Sequence, residues 1–184
     1  MIGDVRYEGG AEALLPLLGH DSPRVRMLTA EALGRIAYRG AVEGIVEMLR
    51  ANENKDVWLR HAGAIALGRI GDEEALVALK EDESWAVRVA AVVALRRMSA
   101  PGVVVFLQDP DEYVVTEAAR AINDDYSIEA ALPDLARLLE EEERFTAEPL
   151  IRRAINANLR VGQPENIALL ATYATAAAPP AEMR

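Results

Sequence analysis

Apolar residues recur along most of this chain at intervals of three and four positions, which is the spacing of one face of an α-helix. In residues 23–37, for example, Val25, Leu33 and Ile36 share one side of the predicted helix. No comparable stretch alternates between apolar and polar residues, so the pattern predicts helices. The run VVVFL at 103–107 has the composition of a strand, but its place in the repeat described next favours a short helix.

A sequence repeat accompanies the helical pattern. The letters ALGRI occur at 32–36 and again at 66–70, and ALRRM at 94–98 is a weaker copy. A position that precedes each copy recurs at 26, 60, 88, 115 and 152, which gives intervals of 34, 28, 27 and 37 residues. A period in this range is typical of stacked supersecondary units.

Each repeat unit is predicted to contain two helices joined by a polar turn. In the first unit the turn Asp21-Ser22-Pro23 supplies a capping side chain and a proline suited to the first turn of the second helix. Pro16 and Pro133 predict bends or late starts in two of the first helices. The predicted units span residues 8–40, 41–71, 72–100, 101–126 and 127–162, followed by a partial sixth unit at 163–184.

Helical pairs of about 30 residues, with aspartate in the turn and Val-Arg and Ala-Leu-Gly in the second helix, resemble HEAT repeats. They are most similar to the short variety found in bacterial proteins and phycobilin lyases. The resemblance implies an all-α fold in one domain over 1–184: a right-handed α-α superhelix (a HEAT-like solenoid) of five helix pairs plus a partial sixth. It implies little about function, because this scaffold serves many tasks.

A narrower resemblance concerns EPLIRRAINANLRVGQPENIALLATYA at 148–174. This segment is similar to the HEAT segment of large exported planctomycete proteins that also contain a sugar-dehydrogenase-like propeller and a c-type cytochrome domain. Because the chain lacks the CxxCH motif of haem attachment, the resemblance implies a spacer or docking module. It also predicts that the sixth unit, whose apolar face includes Ile167 and Leu170, was cut from a longer array.

Composition excludes several classes of function. The chain has no cysteine, which excludes disulfides, thiolate metal sites and cysteine nucleophiles. Its 30 acidic and 20 basic residues give a formal net charge of −10, whereas a nucleic-acid partner requires clustered positive charge. No apolar run reaches about 18 residues, and no positively charged start precedes an apolar segment. We therefore predict neither a nucleic-acid partner nor contact with a membrane, and no signal peptide.

Candidate catalytic and metal-binding residues are sparse. His20 and His61 lie at different points of the repeat and lack the repeated His-Glu pairs of iron-binding HEAT hydroxylases. The serines fall in turns or at helix ends without a GxSxG motif, and no glycine-rich phosphate loop is present. We predict no catalytic residue, no metal ligand and no cofactor.

Arginine recurs at one repeat position, at Arg26, Arg60, Arg88 and Arg152, with Val115 interrupting the series. Acidic residues occupy the turns that precede these arginines. We predict a structural ladder in which each guanidinium binds turn carboxylates and carbonyls at helix ends, since its planar fork reaches several acceptors at once. An anion-binding site is the alternative interpretation.

Two further polar features have structural interpretations. Asn158 falls at a repeat position close to the core, so we predict that it forms a structural hydrogen bond to a neighbouring turn. The run EEEE at 140–143 ends a helix where the helix dipole disfavours negative charge. It is predicted to be a solvated, frayed segment, with a docking patch for a basic partner as the alternative.

The exposed side of the second helices, which lines the inner, concave surface in this architecture, combines apolar, aromatic and arginine residues. Aromatic residues and arginine are the usual anchors of protein interfaces. We therefore predict a non-catalytic protein-interaction or intramolecular scaffold module that binds a protein partner or neighbouring domains of the same chain. The predicted contact residues are Trp58, His61, Tyr113, Arg120 and Arg153.

Three alternative functions stay open at this point. A HEAT-like DNA glycosylase is permitted by Trp58, Tyr113 and nearby arginines, but the negative net charge and the scarcity of lysine oppose it. A bilin lyase is supported only by the type of repeat. The third alternative is an inert spacer excised from a larger multidomain redox protein.

Overall fold

The computed structural model describes residues 6–175, and every regular element among them is a helix. The α-helices are α1 (Ala11–Leu14), α2 (Pro23–Ile36), α3 (Val42–Asn52), α4 (Val57–Ile70), α5 (Glu73–Ala78), α6 (Trp85–Met98), α7 (Glu112–Ile122), α8 (Leu132–Arg137), α9 (Glu148–Val161) and α10 (Pro164–Thr175). Short 3-10 segments lie at Glu8–Gly10, Leu15–Gly19, Arg39–Ala41, Leu79–Glu81, Pro101–Gln108, Glu129–Ala131 and Leu138–Arg144. The predicted all-α, HEAT-like solenoid fold is confirmed.

The first helices of the repeats are the irregular ones, as their prolines predict. Pro16 lies at the start of the 3-10 segment Leu15–Gly19, so α1 loses its α-helical geometry there, and Pro133 occupies the first turn of α8. The apolar run at 103–107 lies within the 3-10 segment Pro101–Gln108 and is helical. The segment Leu138–Arg144 is interrupted at Glu141, where φ is −110° and ψ is 29°.

The chain divides into two compact units, one ending at Gly102 and one starting at Val103. We call them the N-terminal and the C-terminal unit and describe each by itself. The single domain expected over 1–184, and its division into six repeats, stays a prediction.

In the N-terminal unit the second helices pack side by side, with α4 between α2 and α6. The leucines of the repeated Ala-Leu-Gly and Ala-Leu-Arg motifs form the centre of the core. They are Leu33, Leu67 and Leu95, and none is more than 1% exposed. Ile45 on α3 and Leu76 on α5 cover them from the first helices and are equally buried. The repeated motif is therefore the part of each second helix that faces the core.

The glycine of the motif allows neighbouring second helices to approach closely. A Cβ built on Gly34 of α2 would lie 2.6 Å from the Cα of Ala66 on α4, a distance that real Cβ atoms do not show. A Cβ on Gly68 of α4 would lie 3.3 Å from the carbonyl oxygen of Ala94 on α6. The first two repeats thus each place a glycine against the alanine of the next repeat, which keeps the helix axes near the lower end of the usual separation of about 8–10 Å.

In the C-terminal unit α9 is the central helix and packs against α7, α8 and α10. Its core includes Phe106, Val115 and Leu135, each fully buried. Asn158 of α9 is also fully buried and forms a structural hydrogen-bonded junction. Its Nδ2 donates to the carbonyl oxygens of Ala136 at 2.8 Å and Ala154 at 2.9 Å, and its Oδ1 accepts from Asn166 Nδ2 at 2.9 Å. The predicted structural bond is present, with helix carbonyls as acceptors where a turn was expected.

Replacing Gly34 by alanine should destabilise the N-terminal unit by about 1–2 kcal/mol, because the new methyl group would collide with the backbone of Ala66. The free energy of unfolding in urea measures this. Gly44→Ala on α3 is the matched control, since its Cβ would meet only a terminal methyl of Leu18, which is free to move. We expect the control to unfold at the wild-type urea concentration or slightly above it. Equal loss of stability in both variants would contradict the close-approach argument.

Candidate protein-binding surface

Three arginines of the predicted ladder make the same contact in successive repeats. They are Arg26, Arg60 and Arg88. Each donates from Nη1 to the residue six positions earlier, in the turn between the two helices of its own repeat. The acceptors are His20 O at 3.3 Å, Asn54 Oδ1 at 3.1 Å and Asp82 O at 2.8 Å. These acceptors are two backbone carbonyls and an amide oxygen; the sequence predicted turn carboxylates and carbonyls at helix ends.

The ladder positions of the C-terminal unit differ. Val115 is fully buried, so an apolar side chain fills the position. Arg152 pairs with Glu148, one turn earlier on α9, and both side chains are 56% exposed. Of the five equivalent repeat positions, only Arg26, Arg60 and Arg88 therefore contact the residue six positions earlier.

Asp82 connects two repeats of the N-terminal unit. One carboxylate oxygen binds Arg50 of α3 at 2.6 Å, and the other accepts from the backbone N–H of Ser84 at 2.9 Å, at the entry to α6. The hydrogen bond to Asp82 raises the pKa of Arg50, so the guanidinium stays charged at all working pH values. The pair fixes the turn before α6 to the preceding repeat.

The exposed side of the three second helices forms a continuous surface in the N-terminal unit. We call it the second-helix face; its residues recur at spacings of three and four. They are Arg24, Met27, Leu28, Glu31 and Arg35 on α2, Trp58, His61, Ile65 and Arg69 on α4, and Val89, Val93 and Arg97 on α6. All are exposed or half-buried except Val89, which is buried.

A cleft of about 400 Å³ opens on this face between the first turns of α2 and α4. Trp58, which is 68% exposed, forms one wall. The other residues that line the cleft are Pro23, Arg24, Met27, Leu28, Asp56 and Leu59. The carboxylate of Asp56 accepts from the backbone N–H groups of Trp58 at 2.8 Å and Leu59 at 3.2 Å, so the helix cap fixes the backbone beneath the tryptophan.

Charge is segregated between the two sets of helices in the N-terminal unit. The second helices α2, α4 and α6 carry eight arginines and a single acidic residue, Glu31. The first helices α1, α3 and α5 carry five glutamates and a single basic residue, Arg50. The chain is acidic as a whole, but the second helices of this unit present a basic surface.

Three arginines of the second-helix face have no partner within residues 6–175. Arg24, Arg69 and Arg97 are exposed and form neither a hydrogen bond nor an ion pair with any residue in that range. Arg35 pairs with Glu31 at 3.5 Å on the surface of α2. These arginines are not among the predicted contact residues, although the repeat places Arg35, Arg69 and Arg97 at one position.

The predicted contact residues are distributed over both units. Trp58 and His61 are both exposed on α4, and Trp58 also lines the cleft. Tyr113 is 50% exposed in the first turn of α7. Arg120 of α7 and Arg153 of α9 converge on one carboxylate, that of Asp124.

The two predicted arginines of the C-terminal unit are engaged within the fold. Arg120 Nε and Arg153 Nη2 each lie 3.2 Å from an oxygen of Asp124, and the hydrogen bond to Asp124 raises the pKa of Arg120. Arg153 also donates to the carbonyl oxygen of Pro149 at 3.0 Å and is only 22% exposed. Reversing both charges would surround Asp124 with carboxylates, so such a variant perturbs the C-terminal unit as well as any partner contact.

A second polar junction in this unit was not predicted from the sequence. Asn123, buried at the end of α7, donates to Asn156 Oδ1 at 3.0 Å and accepts from Arg160 Nη1 at 3.0 Å. Arg160 also contacts Ser127 and Glu129 in the connection that follows α7. The junction holds this connection against α9. Its contacts join residues that lie 31 to 37 positions apart in the chain, so no local motif reveals it.

Glu112, the first residue of α7, caps the start of α9. Ala147, at the start of α9, offers no capping side chain. The Glu112 carboxylate accepts from Ala147 N at 2.7 Å and from the hydroxyl and backbone N–H of Thr146. Burial raises the pKa of Glu112, but the three hydrogen bonds together outweigh it and lower the pKa below its ordinary value.

Because the pKa of Glu112 is lowered by folding, its contribution to stability is present above the ordinary glutamate pKa of about 4.3. It is lost as the pH falls through the lower folded value. Glu112→Gln should therefore reduce the free energy of unfolding by about 1–2 kcal/mol at pH 7. The difference from wild type should shrink below about pH 4. Urea unfolding between pH 3 and 7 measures both. Glu140→Gln, an exposed control in the same unit, should match wild type throughout; a pH-independent difference for Glu112→Gln would contradict the capping role.

A metal-binding cluster or a membrane-spanning helix would each have a distinct arrangement of residues within 6–175. No group of three or more histidine, aspartate and glutamate side chains there has the arrangement of a metal site. None of the helices in this part of the chain combines the length and apolar character needed to cross a membrane.

Comparison with known proteins identifies the repeat. The sequence model of a family described as HEAT repeats matches residues 11–96, which lie in the N-terminal unit from α1 into α6. Residues 11–96 are thus similar to HEAT repeats, a kind of repeat that commonly mediates protein–protein interaction or scaffolding. The chain is also similar to the crystal structure of an engineered protein, with 24% identity, a TM-score of 0.47, and coverage of 89% of this chain and 86% of that one. The search of curated proteins finds no match.

Proposed function

We propose that this chain is a non-catalytic interaction or scaffold module that binds a protein partner, or a neighbouring domain of its own chain, through its second helices. The observation that carries the proposal is the cleft of the second-helix face. There, the 68% exposed Trp58 lies beside Arg24, which has no partner within residues 6–175. Tryptophan and arginine are the residues most enriched among the energetic centres of protein interfaces.

The distribution of exposed apolar side chains supports this choice of face. Among the described residues of the N-terminal unit, five large apolar side chains are exposed, and four of these belong to second helices. They are Leu28, Val57, Trp58 and Trp85. The fifth, Tyr7, precedes α1, and none lies on α1, α3 or α5. A partner that covers the second helices would remove most of this apolar surface from water, which is the main favourable term in protein association.

The remaining predicted contacts divide into two groups. Tyr113 occupies the repeat position equivalent to that of Trp58, and His61 lies next to Trp58 on α4. Both are exposed, and we propose them as direct contacts. Arg120 and Arg153 are proposed contacts whose guanidinium groups also bind Asp124. The narrower resemblance of residues 148–174 favours neighbouring domains of a longer protein as partners, and it stays a prediction.

Site-specific photocrosslinking tests the proposed face. Because the chain has no cysteine, one introduced cysteine carries one benzophenone maleimide label. His61→Cys places the label on the second-helix face, and Glu43→Cys places it on the first helix α3; both positions are exposed. After irradiation in extract of the source cells, we expect discrete protein adducts from position 61 and none from position 43.

The decisive comparison adds Trp58→Ala to the His61→Cys variant. We expect the yield of adduct to fall about tenfold, since truncation of a central tryptophan is among the largest interface effects. The variants should share one circular dichroism spectrum, because Trp58 is exposed. Equal adducts from positions 43 and 61, or adducts that survive Trp58→Ala unchanged, would exclude this face as the binding surface.

A further inference from the structure

Building on the proposed function, we propose that the second-helix face binds an extended acidic peptide segment that carries one apolar or aromatic anchor residue. The anchor enters the cleft between α2 and α4, and the carboxylates pair with the arginines of the face. The proposal identifies the chemistry of the partner, which neither the HEAT repeats nor the cleft alone defines.

The charges of the face determine the sign of the partner. Arg24, Arg69 and Arg97 find no partner within residues 6–175, although the chain contains 30 acidic residues. Arg69 and Arg97 lie in the last turns of their helices, where a cation complements the helix dipole. The dipole accounts for a cation there, but Arg24 lies in a first turn, where the same dipole disfavours it. Carboxylates from outside the chain would satisfy all three.

The spacing of one arginine row defines the shape of the partner. Arg35, Arg69 and Arg97 occupy the same repeat position on three helices that pack side by side. Neighbouring helix axes lie roughly 8–10 Å apart, and the close approach of Gly34 to Ala66 keeps α2 and α4 near the lower limit. An extended chain in the polyproline II conformation advances about 3.1 Å per residue, and every third side chain points to the same side. Carboxylates at every third residue would therefore meet successive arginines of the row.

The cleft defines where the anchor residue stands in the segment. Trp58 and Arg69 are eleven residues apart on α4, which corresponds to about 16 Å along the helix axis. A polyproline II segment covers that distance in about five residues. The expected segment thus has an apolar residue separated by about five positions from glutamates or aspartates spaced three apart.

The surroundings of the arginines favour a peptide over nucleic acid. The cleft walls are Met27, Leu28 and Trp58, which suit an apolar side chain, and Asp56 stands at the cleft edge. Glu31 lies between Arg24, in the first turn of α2, and Arg35, in its last turn. Both carboxylates would repel a continuous phosphate backbone. They leave room for a segment whose carboxylates are spaced apart.

The test uses the full chain and synthetic peptides labelled with fluorescein. The probe peptide has a serine–glycine background, one phenylalanine, and three glutamates at every third position beginning five residues after it; a second probe has the reverse order. Comparison peptides replace the glutamates by glutamine or lysine, or the phenylalanine by alanine. A single-stranded DNA 20-mer is the nucleic-acid probe. Fluorescence anisotropy at low and high salt measures binding.

We expect at least one of the two glutamate–phenylalanine peptides to bind, with affinity that weakens as salt increases. The glutamine, lysine and alanine peptides should each bind about tenfold more weakly or not at all. Trp85→Phe leaves Trp58 as the sole tryptophan, so a change in its fluorescence on titration would place the phenylalanine at the cleft.

Variants with matched charge identify the binding residues. Arg69→Glu with Arg97→Glu should weaken binding of the glutamate peptide about tenfold or more. Arg39→Glu with Lys80→Glu, which changes the net charge equally outside the second helices, should leave it unchanged. The inference would be overturned if both pairs weakened binding equally or if the glutamine or lysine peptide bound more tightly. It would also be overturned if only DNA bound or if no peptide bound. None of these outcomes affects the crosslinking result, which tests the face without assuming the chemistry of the partner.

Discussion

The contact of Gly34 with Ala66 is the constraint on which the N-terminal unit depends. It allows α2 and α4 to approach so closely that a methyl group on Gly34 would overlap the neighbouring backbone. The leucine between the two small residues of the motif then reaches the core in each repeat, as Leu33 and Leu67 do. Because successive second helices use the same contact, residues on their opposite side also come into register. The surface pattern of arginine and apolar residues is thus a consequence of the packing beneath it.

Arginine has two different roles in the N-terminal unit, and its position on the helix determines which role it has. Arg24 and Arg26 are two positions apart, so their side chains point to different sides of α2. Arg26 turns towards the connection before α2 and donates to the carbonyl oxygen of His20. Arg24 turns towards solvent beside the cleft. The first kind holds a turn in each repeat, as Arg60 and Arg88 do. The second kind, with Arg69 and Arg97, leaves positive charge on a surface of an acidic protein.

The helix pairs and the register of the repeat could be predicted from sequence because both depend on local signals: apolar spacing, turn aspartates and the ALGRI motif. Asp56, for example, caps α4 as a turn aspartate should. Ala37 ends α2 with a φ of 59°, where Gly71 stands in the next repeat, and nothing local identifies an alanine in that conformation. The cap that Glu112 provides for α9 spans more than 30 residues. The lack of partners for Arg24, Arg69 and Arg97 depends on where every carboxylate lies. These features belong to the packed structure, and sequence spacing does not contain them.

The two units use their polar residues differently, and this difference supports the proposal that the binding surface lies on the N-terminal unit. In the C-terminal unit Arg153 is bound internally to Asp124, and Arg160 is bound to Asn123. Asn158 and Glu112 likewise form hydrogen bonds with neighbouring helices. Such networks stabilise a unit whose repeats lack the glycine–alanine contact, because buried polar groups must be satisfied. In the N-terminal unit the glycine–alanine contact packs the second helices together, so the arginines on their exposed side are not needed for packing. They stay available to a partner.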